Sequence, residues 1–323
     1  MPRFRGGIIS ATESSPTFGM WKLNDVTQAI VENTWGVGVT PAAPAASNPT
    51  VEYLIVGGGG AGSGAVGGGG GGGGVVSGNI IANTAYQYTI TVGAGGAGTN
   101  NRGGGGEYSL FNNIIAFGGG WSGFFGDNGV TYANSSIYGF KASAGGQGGS
   151  SIDFRPHSIF PGQGNRSGNC VATAYTAGGG GGAGEAALNA NNTHSTRGGN
   201  GIFSSISGTS VAYAGGGNGA AHQSGKSTPN VTAAGGGALG GVTETATGGT
   251  GIARGANGSI NSGGGGGGGG YSGSPFGGSG GSGVTILSYS TSFANATSTG
   301  SPTYSEASGN RIFTFTGSGT ITF

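Results

Sequence analysis

The sequence predicts a mainly β and irregular chain: a bundle of left-handed glycine helices framed by short β-strands, with a small, differently composed N-terminal segment. Three observations carry that expectation. Glycine supplies 85 of the 323 residues and arrives in blocks, 67–74 and 263–270 being uninterrupted runs of eight. Short β-branched and aromatic stretches stand directly before several blocks. Aromatic residues make up 9 % of the chain, charged ones only 7 %, and the formal net charge is +1.

Ordinary soluble domains carry roughly 7 % glycine and 25 % charged residues. Glycine at the present density without a strict period warns of disorder, yet disordered chains combine low hydrophobicity with high net charge. A flexible linker has no use for Phe111, Phe117, Trp121, Phe124, Phe125, Tyr132, Tyr138 and Phe140 in one stretch. Collagen is excluded because glycine does not fall at every third position. Eight glycines in a row exclude an α-helix, each costing roughly 1 kcal/mol against alanine, and give a sheet no side chains to pack. Two options remain, a flexible coil and a polyproline-II-type helix, in which such a run spans roughly 25 Å at about 3.1 Å per residue. The N–H and C=O groups of that helix point sideways and need partners when buried. Bare glycine lets neighbouring helices come close enough to supply them. Ordering glycine costs more backbone entropy than ordering any other residue, so the expectation is a cooperative bundle and not a lone helix.

Along the chain, three zones separate. Residues 1–50 hold the only helix-like text, 20–35, with Leu23, Val26 and Ile30 on one face and Trp21 and Trp35 at its ends. A Pro/Ala/Ser linker follows at 40–49. This head reads as a docking peg. Residues 51–290 open with the strand text VEYLIV at 51–56 and close with GVTILSY at 283–289. Between them, 86–92 alternates, 108–117 alternates with a break at Asn112 and Asn113, and 201–213 holds two short runs split by a glycine turn. Strand, glycine block and polar loop form an irregular internal repeat. Residues 291–323 read as a Ser/Thr-rich spacer and a hairpin, 311–316 turning at 317–319 into 320–323. A sequence ending inside a strand points to a pairing for that strand, with a neighbouring protomer as one option.

Catalytic apparatus is not visible. Gly57, Gly59 and Gly62 after the first strand match the dinucleotide pattern G-x-G-x-x-G, but glycines follow where the fingerprint needs a helix, and no Asp or Glu stands between Glu52 and Glu107. The stretch 219–227 ends in Gly-Lys-Ser at a spacing one residue too long for a phosphate-binding loop. His157, His194 and His222 fall in separate polar loops, so no metal pair forms at ligand spacing. The ten carboxylates include no close pair for acid–base work. The Lys and Arg residues are scattered singly, without the basic stripe that nucleic acid needs. The Arg-Gly-Gly triplets at Arg102 and Arg197 follow from glycine density. Cys170 is alone, so no internal disulfide forms. Residues 1–10 lack an apolar core for secretion, and no run of 18 apolar residues would span a membrane.

The stretches VEYLIVGGGGAG at 51–62, YTITVGAGGAG at 88–98 and GGSGGSGVTIL at 277–287 resemble the glycine-rich domain of bacteriophage tail-fibre and tip-adhesin-like virion proteins. The closing RIFTFTGSGTITF at 311–323 is also similar to a segment of that group, although there it precedes the opening strand. Residues 1–35 resemble the leading segment of tail-associated proteins from marine phages. The resemblance implies a polyglycine-II bundle whose distal loops bind a host surface. It places the protein in the virion, as a non-enzymatic tail-fibre or tail-tip component. Residues 1–50 would dock on other virion proteins through Trp21, Leu23, Val26, Ile30 and Trp35. Trp121, Phe124, Phe125, Tyr132, Tyr138, Phe154, His157, Phe160, Tyr271 and Phe276 are the candidates for receptor contact. The implied partner is a bacterial surface, polysaccharide or outer-membrane protein, with no nucleic acid, membrane insertion, metal or other cofactor. A fibre suits a trimer, and a self-contained bundle a monomer. The alternative is a capsid or tail decoration protein with a purely structural role. Ice binding expects Thr or Ala at every third position over many turns, a register that the irregular loops break.

Overall fold

The computed structural model describes residues 48–124, 141–149, 160–222, 227, 233, 235–237, 254–271 and 276–323. The chain divides into two compact units, Met1–Asn48 and Pro49–Phe323. All described residues except Asn48 belong to the second; the expected helix at 20–35 lies outside the described residues, as does the linker up to residue 47.

The second unit is mainly β. Its strands are β1 (Thr50–Val56), β2 (Val75–Ile81), β3 (Gln87–Thr91), β4 (Ser109–Phe111), β5 (Ile114–Ala116), β6 (Ile202–Ser204), β7 (Val211–Tyr213), β8 (Val284–Ser290), β9 (Thr297–Ser298), β10 (Thr303–Ala307), β11 (Asn310–Phe315) and β12 (Gly319–Thr322). Among the described residues, helix is limited to a single 3-10 turn, Ala172–Ala174. One five-stranded sheet has the order β10-β11-β8-β1-β2, a second the order β5-β4-β3-β12-β9, and β6 with β7 forms a small ribbon. Every pairing between these strands is antiparallel.

The two large sheets share one core. Val51 and Ile55 of β1, Leu287 and Tyr289 of β8, and Phe313 and Phe315 of β11 pack with Ile90, Phe111, Ala116 and Ile321 from the second sheet. The opposite face of the first sheet is covered as well: Leu54, Val56, Val284, Ile286 and Ile312 pack against Ile206, Tyr213, Ala183 and Ala214. Burial on both faces leaves residues 54–56 of β1 and 284–289 of β8 covered without alternation, the polar Thr285 and Ser288 included. Phe315 is fully buried in the shared core. Phe315→Ala is expected to cost about 3–5 kcal/mol, read as a fall in the denaturant midpoint at unchanged slope.

Three features depart from the sequence reading. β2 carries Gly78 in mid-strand, which hid it. Gly78 pairs with Tyr53 of β1, and a Cβ there would lie 2.6 Å from the tyrosine hydroxyl. β10 is exposed along most of its length, so no hydrophobic alternation marks it. The hairpin expected from 311–316 and 320–323 does not form: β11 pairs with β8 and β10, while β12 crosses to the second sheet between β3 and β9. Phe313 and Phe315 on one side and Ile321 on the other meet across the sandwich, and this burial decides the crossover. The last strand therefore has both partners within its own chain.

From the strand ends the glycine blocks run out as segments that belong to no strand or helix. β1 continues into 57–64, the chain reverses at Ala65 and Val66, and 67–74 leads into β2. All of 57–74 except Ala65 is buried. Each peptide group there needs a partner, and neighbouring segments supply them in rotation. The N–H groups of Gly57, Gly60 and Ser63 go to Gly74, Gly71 and Gly68; those of Gly58, Ala61 and Gly64 go to Glu107, Gly104 and Asn101; those of Gly59 and Gly62 go to Gly281 and Gly278. The carbonyls rotate too. Gly58 and Ala61 accept from Gly119 and Ser122, Gly60 and Ser63 from Gly266 and Gly269, and Gly59 from Gly96. Six segments thus surround this one.

The run 67–74 repeats the arrangement, and all eight of its amides donate, at 2.7–3.1 Å. Gly67, Gly70 and Gly73 reach Gly269, Gly266 and Gly263; Gly68, Gly71 and Gly74 reach Gly123, Gly120 and Phe117; Gly69 and Gly72 reach Gly178 and Gly181. Such approach excludes side chains: a Cβ on Gly60, Gly70 or Gly265 would lie 2.0–2.1 Å from a neighbouring carbonyl oxygen. Where the rotation is interrupted, polar side chains stand in for peptide groups. Ser109 Oγ accepts from Gly93 N at 2.9 Å and donates to Val56 O at 2.7 Å. Gln163 accepts from Phe117 N and donates to Ile115 O, both at 2.8 Å.

Candidate functional site

The hydrogen-bond register gives the array two ends. Gly57, Gly74, Phe117, Ala214 and Gly283 each adjoin a strand, so this end meets the sandwich. At the other end, Gly64 N bonds to Asn101 O, Val66 N to Gly270 O, Gly149 N to Val66 O and His222 N to Tyr175 O. Chain reversals collect there. Ala65 and Val66 turn with φ of 50° and 54°, a conformation that is a genuine outlier for β-branched valine. Thr99 Oγ1 closes the next turn on Arg102 O at 2.7 Å. Residues 171–176 turn through the 3-10 segment, with Val171 N on Thr176 O at 3.0 Å and Tyr175 at a φ of 51°. Asn191 Oδ1 closes 191–194 by accepting from Thr193 N and His194 N at 2.9 and 2.8 Å.

The receptor-contact candidates divide between the ends. Tyr271 and Phe276, 46 % and 41 % exposed, stand at the far end, and the Arg254 guanidinium lies 5.1 Å from the centre of the Phe276 ring. Phe124 is half-buried where its segment reaches the same end. Trp121 lies along the flank, where a methyl on Gly105 would sit 3.3 Å from its ring and 2.8 Å from the Lys141 side chain. Phe160 belongs to the sandwich end, its ring 4.6 Å from that of Phe117. Phe125, Tyr132, Tyr138, Phe154 and His157 lie outside the described residues, as do Trp21, Leu23, Val26, Ile30 and Trp35.

Two residues join the far-end group that sequence reasoning did not select. Tyr175 is 40 % exposed, and its ring lies 5.2 Å from that of His222, which in turn lies 4.1 Å edge-on to Tyr271. No local pattern ties these three together, because each ends a different glycine segment. The one local signal was an aromatic beside a glycine block. His222 is 8 % exposed and its Nδ1 has no hydrogen-bond partner. Burial holds its pKa below the ordinary 6.5. The folded state thus prefers the neutral ring, whereas the unfolded chain takes up a proton as pH drops through that value. Stability is expected to be unaffected by this group above pH 6.5 and to decline on acidification below it. Melting at pH 7.5 and 5.5 checks this, and His222→Phe should remove that component of the difference.

Over residues 37–290 the chain matches the family model of a glycine-rich domain. It belongs to that family. No curated protein matches the sequence significantly. The glycine-rich domain covers the whole array and both strands that bound it, β1 and β8. Within it, the G-x-G-x-x-G glycines are committed elsewhere: the amides of Gly57, Gly59 and Gly62 donate to Gly74, Gly281 and Gly278, leaving none to cradle a pyrophosphate. Among the described residues, no group of three His, Cys, Asp or Glu side chains could hold a metal ion. No helix among them is long and apolar enough to cross a membrane.

Proposed function

We propose that this chain is a non-enzymatic bacteriophage virion protein, a tail-fibre or tail-tip component that presents loops to a bacterial surface. Its glycine segments act as a polyglycine-II bundle, a stiff body whose strength lies in its backbone. Residues 1–50 dock it on other virion proteins. The observation that carries this reading is the separation of ends: the exposed Tyr175, Tyr271 and Phe276 stand opposite the sandwich. The return of each hydrogen-bond partner at every third residue supports the bundle, since a polyproline-II-type helix has three residues per turn. Binding loops on a rigid scaffold are a general solution to recognition, and Tyr gives large contact area at low entropic cost.

The test is adhesion. Fluorescently labelled full-length protein should bind saturably to cells of some strains in a bacterial panel and not to others, and excess unlabelled protein should displace it. Antibody labelling of the particle should mark the tail. Absence of binding to every strain, together with label on the capsid, would establish the decoration role instead.

A further inference from the structure

We infer that the sandwich is the register template of the glycine array: its strand ladders set an alignment that the glycine segments cannot set for themselves, and the array forms outward from it. The role is independent of what the far end binds.

Strand ladders run on into the glycine segments without a change of register. From Val56↔Val75 of β1 and β2, pairing continues through Gly57 with Gly74, Gly60 with Gly71 and Ser63 with Gly68, all symmetric about the Ala65–Val66 bond. From Val56↔Val284 of β1 and β8, it continues through Gly59 with Gly281 and Gly62 with Gly278. Ile90↔Phe111 of β3 and β4 is followed by Ala94 with Glu107 and Ala97 with Gly104. In the same way, Ile202↔Tyr213 of the β6–β7 ribbon is followed by Gly199 with Gly216.

A run of identical residues whose partners return at every third position looks the same after a shift of three. Glycine bonds therefore tolerate such a slip, and the reversal even favours it. Ala65 and Val66 turn with positive φ, while Gly64 and Gly67, which adopt that conformation freely, stand beside them. A slip of three would centre the turn on one of these glycines and relieve the strained valine. The strands forbid it. Side chains on a strand alternate with a period of two, so an odd shift turns every one to the other face. Val76 and Ile80 of β2 would leave the shared core, and the exposed Ser77 and Asn79 would enter it. The shortest shift that suits both periods nearly exhausts the seven-residue ladder of β1 and β2. The strained reversal is thus the mark of an alignment imposed from the other end.

Hydrogen exchange on the full-length protein tests both parts. In refolding with pulse labelling, peptides covering β1, β3 and β8 should gain protection before those covering 67–74 and 263–270. Glycine peptides protected at the same time or earlier overturn the template. At equilibrium, the double variant Ala65→Gly/Val66→Gly leaves no side chain at the reversal to mark the register. The strands should hold it nonetheless: 75–81 should keep a single mass envelope, its protection relative to 310–315 staying within about threefold of wild type. Ala65→Gly alone, which keeps the buried valine, should behave in the same way. A split envelope or a greater relative loss in 75–81 means that the reversal sets the register, and overturns the proposal.

Discussion

Gly70→Ala is expected to abolish folding. The added methyl would lie 2.1 Å from Gly60 O and 2.6 Å from the carbon of the same carbonyl, both backbone atoms that no rotamer change can move. Gly70 also donates to Gly266 O and accepts from Gly217 N, so displacing it disturbs three segments together. A loss above about 4–5 kcal/mol is exceptional for a point substitution, and it approaches the whole stability of an ordinary domain, about 5–15 kcal/mol. The matched control is Gly317→Ala. No atom lies within 4 Å of that methyl, and Gly317 is not in the left-handed region. Its effect should stay within about 1 kcal/mol and be neutral or stabilising, by restricting the unfolded chain. Circular dichroism with denaturant titration reads both. Equal tolerance at the two positions would mean that the close approach at Gly70 is not a feature of the folded protein.

The second large effect concerns amide exchange. Eight consecutive glycines in a free peptide exchange at the rate of a random coil, yet every amide from Gly67 to Gly74 donates to a neighbouring segment. Opening any one of them breaks bonds to segments that are themselves bonded elsewhere, so exchange should require near-global unfolding. Protection of at least about 10³ relative to an unstructured peptide is expected, the lower bound of ordinary folding equilibria. Exchange mass spectrometry on peptides covering 67–74 measures it. Rates equal to those of a glycine peptide would remove the scaffold, and with it the argument for a presented end.

Strands with their own side-chain signal were legible in the sequence: VEYLIV at 51–56 became β1, the text at 283–289 became β8, and the break at Asn112 and Asn113 became the turn between β4 and β5. The two runs in 201–213 became β6 and β7. The sandwich was not legible, because strand text does not say which sheet a strand joins. β12 shows this best, since a three-residue turn after β11 favoured a hairpin while burial of Ile321 placed it in the other sheet. β2 was hidden by Gly78, a residue chosen for the tyrosine across from it and not for its own propensity. For the far end, Tyr271 and Phe276 were selected as aromatics of the polar loops that follow glycine blocks. Phe160 was selected as an aromatic of another polar loop and lies at the sandwich end. Membership of a polar loop does not tell which end of the array a residue occupies; that depends on the direction in which each segment runs. The row of Tyr175, His222 and Tyr271 was illegible for a similar reason, because three separate segments must be in register before their ends meet.

A return of the same partner at every third residue has a genetic consequence. Repeated glycine codons are tracts in which a copying polymerase slips, gaining or losing whole codons without disturbing the reading frame. One codon gained inside 67–74 would hand every later amide of the run to the next neighbour in the rotation. A gain of three would return each later amide to the same neighbouring segment, one turn further along it. Tolerated length changes in these tracts should therefore come in nine-nucleotide steps.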